Sequence, residues 1–196
     1  MKRFFASALI AMALCLPQAT QAKVNHLLPK PQKVEISGGN AFALGRPVTI
    51  TDPTDCTLLQ EFFTNNGCTI AEGGTPVRVT IVNSIEGSYD YALYGYENEA
   101  YSLDITADAI DIKAVTATGV IRAAQTLVQL AEGYKETRAL EALKMTDWPA
   151  FKLRGYMHDV GRSYIPADEL IKQIELFSRF KVNTFHWHLT ENQAWR

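Results

Sequence analysis

The sequence predicts an α+β domain, a sheet with helices on one face, followed by the first strand–helix–strand of a truncated (β/α)8 TIM barrel. Three observations support this fold class. Short alternating strands and two amphipathic helices occupy residues 23–147, Trp148 and Pro149 mark a junction, and one strand–helix–strand pattern fills the remainder. The last strand begins at Thr184 and ends in polar residues, as barrel strands that carry a site do.

The composition is that of a water-soluble globular protein. The chain has 196 residues, a formal net charge of −2 and 47% hydrophobic residues. A chain of this length can form one complete domain and part of a second. The absence of a basic excess argues against nucleic acid as a partner.

Residues 1–22 have the pattern of a secretory signal peptide. Lys2 and Arg3 precede an apolar run over 4–16, which is too short to span a bilayer, and small residues follow it. We therefore expect a mature chain that begins at Lys23, is periplasmic or secreted, and has no stable membrane span. A retained membrane anchor is the alternative.

The three cysteines have different predicted fates. Cys15 leaves with the signal peptide, and the bulky Leu14 before it disfavours a lipoprotein cysteine. Cys56 and Cys68 remain in a compartment that permits a disulfide. The sequence leaves open whether they form a bridge or are two buried thiols.

The first part of the chain, residues 23–147, contains predicted strands separated by turn residues. A turn at Gly38–Gly39 separates the first two strands, and Ala107–Asp108 turns a hairpin. Two helices have apolar residues at helical spacing, and residues 86–99 are expected to be a loop. This part carries no cluster of catalytic residue types, which favours a non-catalytic structural or docking domain. The predicted strands are 34–36, 48–51, 77–82, 101–105, 109–112 and 140–145, and the helices are 57–65 and 118–131.

The second part, residues 148–196, predicts one β/α unit and a second strand. A strand over 153–160 is followed by a helix that starts near Pro166 and has an apolar stripe of Leu170, Ile171, Ile174 and Phe177. A crossover of this length implies parallel strands and right-handed connectivity. Because a whole barrel takes about 250 residues, residues 148–196 would be only its start.

In a barrel, the functional side chains follow the carboxyl ends of the strands. This rule selects Asp159 and Arg162 after the first strand, and His186, His188, Glu191 and Asn192 on or after the second. Arg162 is the strongest candidate, because a guanidinium presents fixed donors that can bind two hydroxyls or a carboxylate. Its alternative role is a salt bridge to Asp159 or Glu191.

The neighbouring aromatic and imidazole side chains allow other interpretations. His186 and His188 lie on one face of the strand, where they could ligate a metal or pack inside a barrel. Trp187 and Trp195 could stack on a sugar ring or belong to a core. Glu191 alone could be a catalytic or an orienting carboxylate.

These segments resemble the family-20 glycoside hydrolases, the β-N-acetylhexosaminidases. The sequences G-Y-M-H-D-V-G-R and K-V-N-T-F-H-W-H-L-T-E-N-Q-A-W-R resemble the start of the family's catalytic barrel. L-P-K-P-Q-K-V and G-V-I-R-A-A-Q-T-L-V-Q-L resemble the non-catalytic α+β domain that precedes it. The resemblance covers essentially the whole chain after residue 22.

The resemblance implies a hydrolase that removes terminal non-reducing β-linked GlcNAc or GalNAc from a glycan. Its retaining mechanism would be substrate-assisted, an exception to the two-carboxylate scheme, with no metal or organic cofactor. The family's catalytic Asp-Glu pair would lie on a later strand, beyond Arg196. The 196-residue chain by itself is therefore expected to be inactive.

The resemblance also suggests roles for two residues. Arg162 matches the arginine that binds sugar hydroxyls, and Glu191 matches a supporting aspartate. The chain departs from the family here, with Glu191-Asn192 in place of the common Asp-Asp. Asp159, His186 and His188 are candidates for supporting the residues that touch the sugar, because of their positions at the strand ends and not because of the resemblance.

Two other function classes remain possible at this point. One is a non-catalytic glycan-binding protein, which would bind N-acetylglucosamine without turnover. The other is a different glycosidase with a similar leading domain, O-GlcNAcase-like or α-glucuronidase-like, which substrate profiling would distinguish.

Overall fold

The computed structural model describes Val24, residues 26–88, residues 97–192 and the backbone of residues 194 and 195. The proposed signal peptide and most of the expected loop over 86–99 lie outside these residues. Among the described residues, the α-helices and strands of the first part of the chain are β1 (Lys33–Ile36), β2 (Phe42–Ala43), β3 (Val48–Thr51), α1 (Thr57–Asn65), β4 (Thr75–Ile81), β5 (Tyr101–Ile105), β6 (Ile110–Ala114), α2 (Ala117–Gly133), β7 (Ala139–Leu140) and β8 (Leu143–Asp147). A short 3-10 helix, Glu97–Glu99, precedes β5.

A mixed six-stranded sheet forms the centre of this part, in the order β1-β8-β5-β6-β4-β3. Its strands bury alternate residues, as Tyr101, Leu103 and Ile105 do on β5, because successive side chains point to opposite faces. The buried face meets α2, and α1 packs against α2. The structure thus confirms a mixed sheet with helices.

Several predicted elements differ from the observed ones. The turn at Gly38–Gly39 does not make β1 and β3 neighbours, because they lie at opposite edges of the sheet. Between them the chain forms β2, which pairs with β7. The single strand expected over 140–145 is two strands, β7 and β8. These pairings join residues far apart in sequence, and the local pattern does not specify them.

The second part contains β9 (Gly155–Asp159), α3 (Ala167–Arg179), β10 (Thr184–His188), β11 (Thr190–Glu191) and β12 (Ala194–Trp195). Strands β9 and β10 pair in parallel, with Phe185 opposite Tyr156 and His188 opposite Asp159. The predicted parallel arrangement is therefore confirmed. Among the residues that the structure describes, no helix combines the length and apolar character needed to cross a membrane.

Helix α3 lies on the β9–β10 pair but buries only part of its apolar stripe. Pro166 is the N-cap residue, and the acidic residues of the first turn suit the positive end of the helix dipole. Leu170 is buried and the Phe177 ring lies 4.4 Å from that of Tyr156, whereas Ile171 and Ile174 are largely exposed. The sheet pair and its helix therefore leave apolar surface uncovered.

Cys56 and Cys68, whose pairing the sequence left open, are free thiols and both are buried. The backbone N–H of Gly45 points to Cys68 Sγ at 3.3 Å. Burial raises the pKa of the Cys56 thiol, which keeps it protonated at neutral pH. The disulfide alternative is thus wrong for this structure, and no covalent bond links the two thiols beside α1.

We expect a thiol titration to show this directly. In a chain carrying Cys15→Ser, Ellman's reagent should react slowly with the native protein and find two thiols after denaturation without reductant, because both groups are buried and unpaired. The matched control, Cys15→Ser with Cys68→Ala, should show one. A denatured chain with no reactive thiol would demonstrate a disulfide.

Glu99 links the two parts of the chain. Its Oε2 accepts hydrogen bonds from Arg122 Nε of α2, at 2.6 Å, and from Arg154, which precedes β9. Burial alone would raise the pKa of Glu99, but the hydrogen bonds and charges of Arg154 and Arg122 outweigh it and hold the pKa below its usual value. The folded protein therefore favours the charged carboxylate.

This lowered pKa predicts a pH dependence of stability. A carboxyl with a depressed folded pKa stabilises the fold above its unfolded pKa, about 4.3, and the effect is lost as pH falls through the folded pKa. Glu99→Gln should therefore reduce the free energy of unfolding at neutral pH and weaken its decline below about pH 4.5. Urea unfolding at several pH values measures this.

Glu132→Gln is the matched control, because Glu132 pairs with Arg179 at 3.5 Å and both side chains are more than half exposed. Glu132→Gln should leave the decline of the free energy of unfolding at acid pH unchanged. An equally steep decline in the native chain and in Glu99→Gln would contradict the role given to Glu99.

Candidate functional site

The candidate site lies at the carboxyl ends of β9 and β10. Because the strands are parallel and in register, their last residues, Asp159 and His188, are adjacent. The pairing continues for one more residue, with Val160 N–H donating to the His188 carbonyl at 3.0 Å. The loop after β9 and the short strand β11 therefore emerge side by side.

Arg162 is fixed at this edge by two carboxylates. Its Nε lies 2.5 Å from Asp159 Oδ2, and its Nη2 lies 3.1 Å from Glu191 Oε2. Its backbone N–H also donates to Asp159 Oδ1 at 3.2 Å. The side chain is 66% exposed, so the guanidinium is oriented by the protein yet open to solvent.

Asp159 binds both the side chain and the backbone of Arg162. Its partial burial would raise the pKa of its carboxyl, but the backbone and side-chain hydrogen bonds of Arg162, the guanidinium charge and the nearby His188 lower it instead. His188 Nδ1 lies 3.7 Å from Asp159 Oδ2. The carboxylate therefore stays charged at neutral pH and holds the arginine.

Glu191 and Gly161 complete the local geometry. Glu191 Oε1 accepts the backbone N–H of Asn192 at 3.1 Å, which leaves Oε2 for Arg162. A Cβ at position 161 would stand 3.3 Å from Asp159 Oδ1 and 3.4 Å from Glu191 N. The backbone of the loop thus passes close to both acids, where a glycine fits without displacing them.

Asp159, His188 and Glu191 also form a group whose ligand atoms all lie within 4.8 Å of one another. One nitrogen and two carboxylates could in principle hold a divalent cation. The guanidinium of Arg162, however, already binds both carboxylates and offsets one of their two charges. The donor set therefore fits an ion-paired arginine better than a metal.

The guanidinium can bind a polar ligand. With Nε and Nη2 committed to carboxylates, its remaining N–H groups point away from them and can donate to neighbouring hydroxyls or to a carboxylate. The rigid, charged donor set favours a ligand with two adjacent acceptor oxygens.

Two protein-family models match this chain in succession. The model described as "Glycosyl hydrolase family 20, domain 2" matches residues 25–148. The model described as "Glycosyl hydrolase family 20, catalytic domain" matches residues 151–196. The chain belongs to glycosyl hydrolase family 20.

Curated relatives agree with this assignment. A β-hexosaminidase of Porphyromonas gingivalis is 30% identical over 223 aligned residues, which cover 100% of this chain and 28% of the relative. The N,N'-diacetylchitobiase of Vibrio harveyi is 30% identical over 181 residues, covering 91% of this chain and 20% of that protein. The family-20 chain thus spans less than a third of the length of these relatives.

Solved structures show the same fold. A family-20 exo-β-N-acetylglucosaminidase of Vibrio harveyi, crystallised with N-acetylglucosamine, superposes with a TM-score of 0.68 at 27% identity. The match covers 87% of this chain and 26% of that one. The sequence-based resemblance to family 20 is therefore confirmed.

The structure brings four of the predicted site residues together. Arg162, Asp159 and Glu191 are joined by ion pairs, and His188 lies beside Asp159. Both salt bridges that the sequence offered as alternatives for Arg162 are formed. His186 shares a strand face with His188, their ring centroids being 6.1 Å apart, but it does not belong to the group of possible metal ligands.

Two features were missed by the sequence analysis. The close approach at Gly161 left only a weak signal, a glycine directly after a strand. The second feature is a set of buried charged residues at the opposite ends of β9 and β10, which is described below. Their partners lie up to 80 positions away in the sequence, so local patterns do not reveal them.

Proposed function

We propose that the protein to which this chain belongs is an exo-β-N-acetylhexosaminidase that hydrolyses terminal non-reducing β-linked GlcNAc or GalNAc. The observation that carries the proposal is the exposed Arg162 guanidinium, oriented by Asp159 and Glu191 at the carboxyl ends of two parallel strands in a family-20 chain. Such a group suits the paired hydroxyls of a terminal sugar.

In this proposal the substrate supplies its own nucleophile. The acetamido oxygen attacks the anomeric carbon and forms an oxazolinium-like ring, while the glycosidic bond breaks and its oxygen leaves with a proton from the general acid. Water then opens the ring with net retention and gives up a proton to the same group. A neutral amide can attack in this way when it is held in position and its developing charge is stabilised. We assign the general acid and the acetamido-orienting carboxylate to residues outside 1–196, and to Arg162 the orientation of the sugar ring.

We propose further that residues 23–147 form the non-catalytic domain and that 148–196 begin a (β/α)8 barrel. The exposed apolar surface of the second part supports this. Met157 on the strand face away from α3, and Ile171 and Ile174 on α3, are each at least 43% exposed. Neighbouring barrel strands and helices would cover such positions.

We also propose a periplasmic or secreted location. The proposal rests on residues 1–22, with their basic start and short apolar run. A glycan with a terminal N-acetylhexosamine is the proposed partner, without nucleic acid. Amino-terminal sequencing of the protein purified from the native host tests this location. A chain that begins at Lys23 would support it, and one that retains residues 1–22 would contradict it.

The 196-residue chain alone should not hydrolyse a chromogenic β-N-acetylglucosaminide. It carries the proposed sugar-orienting arginine but not the carboxylates that we assign to the later strands. The assay compares the purified chain with the full-length gene product under the same conditions. Turnover by the short chain would place the catalytic carboxylates within it and contradict this assignment.

Replacing Arg162 tests the proposed sugar contact. In the full-length enzyme, Arg162→Ala should lower kcat/KM for the same substrate by roughly 10- to 100-fold, because charge-assisted hydrogen bonds contribute about 1.5–3 kcal/mol. Arg162→Lys should recover little, since an ammonium lacks the planar donor set.

Arg78→Ala is the matched control for this experiment. Arg78 is a half-exposed arginine that pairs with Asp111 at 2.7 Å on the six-stranded sheet, far along the chain from the site. Its loss should leave kcat/KM unchanged. Equal activity of the Arg162→Ala and native enzymes would overturn the sugar-binding role, and full-length protein that binds N-acetylglucosamine without turnover would favour a lectin-like function.

A further inference from the structure

Helix α2 buries a row of polar side chains on one face. They lie within about two turns of the helix and are each at most 9% exposed, namely Arg122, Gln125, Thr126 and Gln129. A buried polar row is costly unless its members have partners. Two of them reach the second part of the chain, since Gln129 Nε2 donates to the Arg179 carbonyl at 2.7 Å and Arg122 shares Glu99 with Arg154.

Lys181 lies at the centre of this contact. It follows α3 and precedes β10, and its φ of 61° is a left-handed conformation that usually favours glycine. Its side chain is 7% exposed, and Nζ donates to Asp147 Oδ2 at 2.7 Å and to the Tyr101 hydroxyl at 2.9 Å. Lys181 therefore combines a strained backbone conformation with a buried ammonium, which contacts side chains of two neighbouring strands, Tyr101 of β5 and Asp147 of β8.

The groups that accept hydrogen bonds from Lys181 are also bonded to each other and to Thr126. The Tyr101 hydroxyl lies 2.6 Å from Thr126 Oγ1 and 3.2 Å from Asp147 Oδ2. Burial lowers the pKa of the Lys181 ammonium, and the charge of Asp147 opposes that shift. The residues Tyr101, Asp147 and Lys181 thus form one buried, hydrogen-bonded group across the two parts of the chain.

A second group fixes the residues that precede both strands. Arg154, directly before β9, donates from Nε to the Lys181 carbonyl at 2.7 Å and pairs with Glu99. The backbone N–H of Arg154 donates to Asn183 Oδ1 at 3.0 Å, and Asn183 Nδ2 donates to the Lys152 carbonyl at 2.7 Å. The starts of β9 and β10 are therefore tied to each other and to the sheet.

The candidate site lies at the other end of the same strands. Each strand has five residues, so its first and last residues are separated by about 13 Å at the usual rise per residue. Because β9 and β10 are short and in register, the alignment at Gly155 and Thr184 determines which residues meet at Asp159 and His188. A change at the start of the strands would displace the loops that carry Arg162 and Glu191.

We propose that Lys181, with Asp147 and Tyr101, is a positioning group through which the six-stranded sheet sets the alignment of β10 against β9 and hence the geometry of the Arg162–Glu191 pair. The domain without catalytic residues is then part of what shapes the site. The meaning for catalysis rests on the proposed function, whereas the positioning itself can be measured without substrate.

The test uses hydrogen exchange and NMR on this chain. Lys181→Met keeps the length of the side chain but leaves Asp147 buried without its cation. We expect the amide exchange rate of residues 182–189 to rise at least about tenfold more than that of residues 75–81, which form the interior strand β4. The reason is that removing one partner of a buried ion pair strongly destabilises the contact it belongs to. The Arg162 Nε–Hε resonance should shift towards that of a free guanidinium.

Two variants separate the possible causes. Lys181→Gly suits the left-handed backbone but removes the ammonium, so it should act like Lys181→Met if the side chain is responsible. Lys172→Met removes an exposed lysine of α3 that pairs with Glu169, and it should change neither observable. If Lys181→Met does not fold, Asp147→Asn is measured in the same way. This variant keeps the shape of the partner but removes its charge, so we expect the same rise in exchange and the same shift of the Arg162 resonance.

Three results would overturn the proposal. They are equal acceleration of exchange in both segments, no acceleration in either, and loosened residues 182–189 with an unchanged Arg162 resonance. Because none of these observables needs turnover, a failure of the positioning role is distinguishable from a failure of the proposed hydrolase activity.

Discussion

The parallel pairing of β9 with β10 is the constraint on which the site depends. Parallel strands place their carboxyl ends at one edge, so Asp159 and His188 become neighbours although 29 positions separate them. Arg162 and Glu191 then follow these ends at hydrogen-bonding distance. An antiparallel arrangement of the same two strands would place these residues at opposite edges, and the ion pairs could not form.

Electrostatics then determines what this edge can bind. One guanidinium between two carboxylates leaves a local net charge of −1. Its orientation is fixed by two ion pairs, to Asp159 and to Glu191, and the Arg162 backbone makes a third contact to Asp159. Because the side chain remains mostly exposed, a ligand can meet its free N–H groups without first displacing an ion pair. Preorganised donors of this kind reduce the entropic cost of binding a sugar. Glu191 reaches Arg162 through one methylene more than an aspartate would have, and the Asn192 that follows it is uncharged.

The two parts of the chain meet through polar rather than apolar contacts. Buried charges stabilise little by themselves, but they admit one arrangement and penalise others, which suits a contact that must set an alignment. The ion pair of Lys181 with Asp147 and the ion pairs of Glu99 with Arg122 and Arg154 are buried charges of this kind, with their side chains at most 15% exposed. The apolar surface of α3 and β9, by contrast, is left open, which is consistent with further elements of a barrel packing there.

The sequence by itself determined the identity of most helices and strands, because periods of 3.6 and 2 follow from the local backbone geometry. Helix α1 was predicted at its observed bounds, and the hairpin of β5 and β6 and the parallel crossover to β10 followed from turn residues and loop length. The barrel rule also selected Asp159, Arg162, His188 and Glu191, since it needs only the positions where strands end.

Only the tertiary structure decided the strand order, the free state of Cys56 and Cys68, and the partners of Lys181. Each of these depends on contacts between residues that are distant in the chain. A lysine after a helix has the pattern of an ordinary solvated C-terminal cation, and no local signal distinguishes it from a buried one. The physical reason is that the backbone sets local conformation, whereas burial and pairing are set by what packs against a residue from elsewhere in the chain.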